Sequence, residues 1–223
     1  FLAVLIVSAV LCIGRIECGG GNLPEPDPQT DAAVDTVEKK MDEPEDPALT
    51  AAAAANASAA MSACDDIANM AASNESVKPL ADIANDIKNL LLDLDEAISS
   101  SSSEEGPASR RKRHFIGRGA PGRLSCGSGP AYLNRYQGAQ QSCIGKIASL
   151  GNFIGNCAPK VQACQQLAPA FNPLPAFGQL LGGFQGLIGC QQQRLDIQQQ
   201  FLPQINIAVN QVGGYCAKCD AAK

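Results

Sequence analysis

Residues 177–188 read FGQLLGGFQGLI. Phe177, Leu180, Leu181, Phe184, Leu187 and Ile188 stand at i, i+3, i+4, i+7, i+10 and i+11, the spacing of one face of an α-helix. Gly178, Gly182, Gly183, Gly186 and Gly189 crowd the same segment. Each costs a helix interior about 1 kcal/mol relative to alanine, so a close neighbour is expected to justify them.

Outward from this stretch the helical spacing repeats. Tyr132, Tyr136, Ala139, Cys143, Ile147 and Leu150 form one stripe. Cys157-Ala158-Pro159 is expected to open a second helix, with Val161, Cys164, Leu167 and Ala168 on one side. Asn172-Pro173-Leu174-Pro175 reads as a loop. A last helix runs through Arg194, Leu195, Phe201, Leu202, Ile205, Ala208, Val209 and Val212, kinked or restarted at Pro203 and ended by Gly213-Gly214. The alternation of Ile205, Ile207 and Val209 leaves a short strand open. Residues 114–223 therefore predict four short helices behind an extended Gly/Arg/Pro arm, His114 to Gly129.

A core of that kind is thin. The whole chain of 223 residues has 7 Phe, 3 Tyr and no Trp. Its 10 cysteines predict disulfides that compensate for scarce burial. Cys12, and Cys18 with a leader that ends at residue 18, are expected to leave with the signal, so that Cys64, Cys126, Cys143, Cys157, Cys164, Cys190, Cys216 and Cys219 remain as expected disulfide partners. Seven of these follow residue 113, an odd number. Either Cys64 ties the two halves together or one cysteine links two chains into a dimer. Cys216 and Cys219 form a C-x-x-C, but the tail offers no strand-to-helix redox turn and no second pair for zinc. Both read as structural.

The charges divide the chain at one place. Arg110-Arg111-Lys112-Arg113 matches the R-x-K/R-R pattern cut by a furin-type proprotein convertase. It follows a serine run, Ser99 to Ser103, and Glu104-Glu105-Gly106-Pro107, a flank with no apolar face. Residues 19–113 hold 19 acidic and 8 basic residues, a balance of −11; residues 114–223 hold 2 acidic and 8 basic, a balance of +6. An acidic pro-segment beside a cationic product suggests electrostatic masking before release.

Within residues 19–113, the Gly/Pro/Asp/Glu-rich stretch 19–47 reads as disordered. The alanine tract Ala51 to Ala60 reads as a helix continuing through Cys64, Ile67 and Met70. Val77, Leu80, Ile83, Ala84, Ile87, Leu90, Leu91, Leu94 and Ile98 form a second helix, with Ser76 as cap and Pro79 in the first turn. Together they predict a helical hairpin whose apolar face packs either on itself or on the C-terminal half. Asn56-Ala57-Ser58 and Asn74-Glu75-Ser76 are glycosylation sequons. Ser102 and Ser103 have an acid two positions on, a pattern phosphorylated in the secretory pathway, although an ordinary solvated linker has the same composition.

At the start, Phe1 to Ile13 (FLAVLIVSAVLCI) is an uncharged run of signal-peptide length, too short to span a bilayer as a helix. A basic n-region with its Met is expected upstream. The organisation expected is a signal peptide over 1–18, an acidic pro-segment with a low-complexity linker over 19–113, and a cationic Cys-rich domain over 114–223. The fold class is mostly α: a disordered and helical pro-segment followed by a small disulfide-stapled helical domain.

These features also exclude. One His cannot build a multi-His metal site, and a formal charge of −5 argues against nucleic acid. The C-terminal half has two carboxylates, no Gly-x-Ser-x-Gly elbow, and its His lies on the terminal arm, so no enzyme, metal or cofactor is expected. A secreted precursor is expected instead, releasing a cationic toxin-like, antimicrobial or signalling effector. The alternative is an extracellular-matrix component of a coat, shell or adhesive; a helical carrier of apolar ligands is a third class. Besides the convertase, the expected partner is an anionic surface or receptor. Phe177–Ile188 carries no cation, which predicts screened adhesion rather than bilayer disruption.

Overall fold

A computed structural model describes residues 23–43, 45–103 and 124–222, with side chains described for all of these except 95–103. The chain is mostly helical, with five α-helices and no strand among the described residues. Helix α1 spans Pro28–Asp42, α2 Pro47–Ser73, α3 Lys78–Ser103, α4 Gly129–Phe171 and α5 Pro175–Ala221. A 3-10 turn, Glu75–Val77, joins α2 to α3.

Residues 28–42 correct the expectation of disorder. The Asp27 carboxylate caps α1, accepting from the Thr30 amide at 2.8 Å and its hydroxyl at 3.0 Å, and Pro28 suits the first turn. Val34 and Val37 supply a short buried stripe, and Lys39 and Lys40 sit in the last turn, where the helix dipole favours cations. Composition hid a helix in which Ala33, Val34, Val37 and Met41 face one way. Asp46 caps α2 in the same manner, accepting from the Ala48 amide at 2.9 Å. Leu49, Ala53, Ala60, Ala63, Cys64 and Ile67 form its buried face. Asn74, rather than Ser76, makes the turn into α3: its side-chain oxygen accepts from the Ser76 amide at 3.1 Å and hydroxyl at 2.8 Å. Leu80, Ala84, Ile87 and Leu91 of α3 are buried as their spacing predicts.

The C-terminal half differs from four short helices. It is one antiparallel hairpin of two long ones, 43 and 47 residues, each roughly 65–70 Å long at 1.5 Å per residue. Helix α4 runs through Pro159 and Pro169, and α5 runs through Pro203 and Gly213-Gly214. A proline costs a helix interior about 3 kcal/mol. Two of the three lie beside residues the hairpin buries fully: Cys157 and Cys164 flank Pro159, and Ile205 and Ala208 follow Pro203, while Pro169 lies in the last turn of α4. Continuous burial along the seam outweighs the local breaks, and the strand alternative at 205–209 disappears with it. Asn172–Leu174 form the turn between the two helices. The register is fixed by Gln140 Nε2 donating to Asn206 Oδ1 at 2.6 Å and Cys143 Sγ donating to the Gln198 carbonyl at 3.3 Å.

Helix α5 is the spine. It packs against α4 along its length, against α2 towards the turn and against α1 towards the open end, while α3 lies on α2 and α4. Two clusters result. Near the turn, α2 and α3 cover Phe153, Cys157, Cys164, Phe177, Leu180, Phe184, Leu187 and Cys190. At the open end, Val34 and Val37 join Leu124, Tyr136, Cys143, Ile205, Ala208, Val212, Tyr215 and Cys219. The helical hairpin α2–α3 therefore packs both on itself and on the C-terminal half.

Candidate functional site

The arrangement with most functional content is the seam between the acidic and basic halves. Its closest approach is made by glycines. A Cβ on Gly183 would lie 2.9 Å from the Ala60 nitrogen and 2.9 Å from the Asn56 carbonyl oxygen, both backbone atoms of α2. At Gly186 it would lie 2.7 Å from the Asn56 side chain. The crowding of α5 by glycine is thus explained at these two positions; Gly178, Gly182 and Gly189 face open space. Ala60, fully buried, completes a contact of small residues that lets the two helix backbones nearly touch.

Around this contact the charges are complementary. Arg194 Nε lies 2.8 Å from a Glu45 oxygen, and its Nη2 donates to the Thr50 hydroxyl at 3.3 Å. Arg135 Nη1 lies 2.6 Å from Glu38 and Nη2 4.0 Å from Asp42, carboxylates one turn apart on α1. Lys160 pairs with Asp86, and Lys218 lies 3.9 Å from Asp27. Hydrogen bonds from the two Thr30 donors lower the Asp27 pKa, and Lys218 adds to the effect. Among the described residues, Arg135, Lys160, Arg194 and Lys218 of the C-terminal half each meet an acid of the N-terminal half. The composition announced opposite charges; the individual acids could not be paired without the helix phases. Glu38 and Asp42, four residues apart, were the available sign of a charged face on α1.

At the open end the chain is bonded covalently. Cys126 and Cys219 form a disulfide with Cα atoms 5.5 Å apart. The Tyr215 hydroxyl donates to the Pro24 carbonyl at 3.1 Å, and Thr30 Oγ1 lies 3.4 Å from Gln211 Oε1. Of the eight cysteines expected in disulfides, the structure joins this one pair. Cys64, Cys143, Cys157, Cys164 and Cys190 are buried thiols, and Cys216 is a partly exposed one. Cys216 Sγ occupies the space that a Cβ at Gly129 would need. Burial pushes the Cys157 thiol up to about 12 and, with Asp65 adding, Cys64 up to about 11. Burial first, then the Glu38 carboxylate, holds the Tyr136 phenol well above its ordinary value. Raised this far, the Cys64 and Cys157 thiols stay protonated at neutral pH and pack as apolar groups.

The two sequons fall in opposite surroundings. Asn74 is exposed at the α2–α3 turn. Asn56 is half-buried, with Nδ2 3.8 Å from Cys190 Sγ and the side chain against Gly186. Residues 1–18, expected as a signal peptide, the basic site Arg110, Arg111, Lys112 and Arg113, and His114 lie outside the described residues. Among the described residues no cluster of three or more His, Cys, Asp or Glu could hold a metal ion, and no helix is long and apolar enough to cross a membrane. No known protein family, curated protein or solved structure matches this chain.

Proposed function

We propose that the chain is a secreted precursor, cut after Arg113, whose cationic residues 114–223 act outside the cell as an effector. The observation that carries this reading is the direction of the ion pairs. Arg135, Lys160, Arg194 and Lys218 follow the basic site and meet Glu38, Asp42, Asp86, Glu45 and Asp27, which precede it. An N-terminal segment that neutralises the cations of the remainder is what a pro-segment requires. The alanine tract, one of the biased stretches behind the coat or adhesive alternative, lies within the single helix α2, with Ala53 and Ala60 buried and Ala51, Ala52, Ala54 and Ala55 exposed. The proposal contains no catalytic step, and its target is an anionic surface or receptor reached by screened attraction. Intact-mass and N-terminal analysis of the protein from its natural secretion tests it. A product beginning at His114 is expected; recovery of the uncut chain alone would remove the precursor reading.

A further inference from the structure

We propose that cutting after Arg113 does not by itself release residues 114–223, because the acidic segment stays seated on the α4–α5 hairpin as a non-covalent second chain. The proposal rests on the precursor reading above and adds the regulation of that same seam. Its support lies in what the seam is made of. The ion pairs crossing it are solvent-exposed on at least one partner; Asp86, Glu45 and Asp42 keep 50%, 60% and 79% of their side-chain surface. Exposed pairs are weak and are screened by salt.

Beneath them lies a continuous apolar contact. Leu49, Ala53, Ala60, Ala63 and Ile67 of α2 and Leu80, Ile87 and Leu91 of α3 share one cluster with Phe177, Leu180, Phe184 and Leu187 of α5. Phe177, Leu180, Phe184, Ile67, Leu80 and Ile87 are at most 1% exposed. Separating the halves would bare both faces to water, which far exceeds the loss of a few surface pairs. The backbone contact at Gly183 shows that the seat is shaped for α2 and not for an arbitrary helix. Charge therefore selects the segment, and burial keeps it. Release needs a second event, such as proteolysis within α2 or unfolding of the segment.

The test begins with the purified full chain, cut in vitro at Arg113 by a furin-type protease. Size-exclusion chromatography is then run under reducing conditions in physiological salt and in about 1 M NaCl, where the screening length is about 3 Å. Both fragments in one peak at both salts is the expected result. Separation in physiological salt would overturn the proposal, and separation in high salt alone would overturn it in favour of an electrostatic clamp. A second arm compares Gly183→Ala with Gly178→Ala. The first places a methyl group against the α2 backbone and the second places one in open space. The acidic fragment of cut Gly183→Ala is expected to dissociate at least tenfold more readily, with Gly178→Ala like the parent. Equal retention by the two would overturn the assigned seat. If Gly183→Ala loses its helical circular dichroism, the salt arm on the parent chain decides alone. Cutting in vitro separates this question from natural processing: uncut native protein would fail the precursor reading and leave the seating result standing.

Discussion

Near the α4–α5 turn, Phe177, Leu180, Phe184 and Leu187 lie under α2 and α3, and the cysteines there are thiols. At the open end, Ile205, Ala208, Val212 and Tyr215 meet chiefly Val34 and Val37 of α1, beside the Cys126–Cys219 bridge. One end packs four helices, α2 to α5, around one core and has no covalent bond across it. The other has a thin core, a disulfide and polar bonds such as Tyr215 to Pro24. Cross-linking thus appears where burial is least, the trade expected of a small core.

The turn end breaks most severely by emptying its core. Phe184→Ala should destabilise the protein by about 3–5 kcal/mol, since Phe184 is fully buried. Urea unfolding would read it; a loss under about 1 kcal/mol would mean that α2 does not cover this residue.

Alkali attacks the same end. Folding raises Cys64 and Cys157 from 9.0 to about 11 and about 12. The protonated thiols therefore favour the folded state fully below pH 9, and this contribution is lost as pH rises towards 12. Stability of the reduced chain should fall across that window, and less steeply in Cys157→Ala. A flat profile would contradict the burial of these thiols.

At the open end, reducing Cys126–Cys219, which closes a separation of 93 residues, should cost about 2–4 kcal/mol. Hydrogen exchange should show α1 and the ends of the hairpin loosening before the α2–α5 contact. Uniform loosening would erase the distinction between the two ends.

Arg135→Ala should cost less than about 1 kcal/mol, because the Arg135 side chain is 45% exposed and its pairs are screened. A loss of several kcal/mol would make charge the main adhesive of the seam.

The smallest effect on folding is expected from the sequons. In secreting eukaryotic cells, Asn74→Gln should abolish the mobility change produced by glycosidase, and Asn56→Gln should leave it. Glycan loss in Asn56→Gln would show that α2 is off α5 during maturation, since Asn56 Nδ2 lies at that contact.

Much of this architecture is legible in the sequence where one helix face is uniformly apolar. The stripes at 177–188 and 77–94 are the buried faces found, and the glycine crowding anticipates the contact at Gly183 and Gly186. Legibility fails where burial overrides local preference. Pro159, Pro203 and Gly213-Gly214 read as breaks because an isolated helix would break there; the hairpin partner compensates, and no local pattern encodes a partner. Helix α1 escapes for the opposite reason, since Val34 and Val37 are a short stripe inside acidic, proline-flanked sequence. The seam follows from the charge division, but its pairs depend on helix phases fixed only by packing.

Helix α5 comes after every element it touches. While a ribosome is still making residues 175–221, α1, α2 and α4 already exist without the surface that buries them. Neither core can close until α5 has been synthesised, so the growing chain cannot fold in stages from its N-terminus, the usual order for larger proteins. The α2–α3 hairpin can close on itself earlier, but the faces of α1, α2 and α4 that meet α5 stay open until it is made, and a chaperone that shields them until synthesis ends should raise the yield.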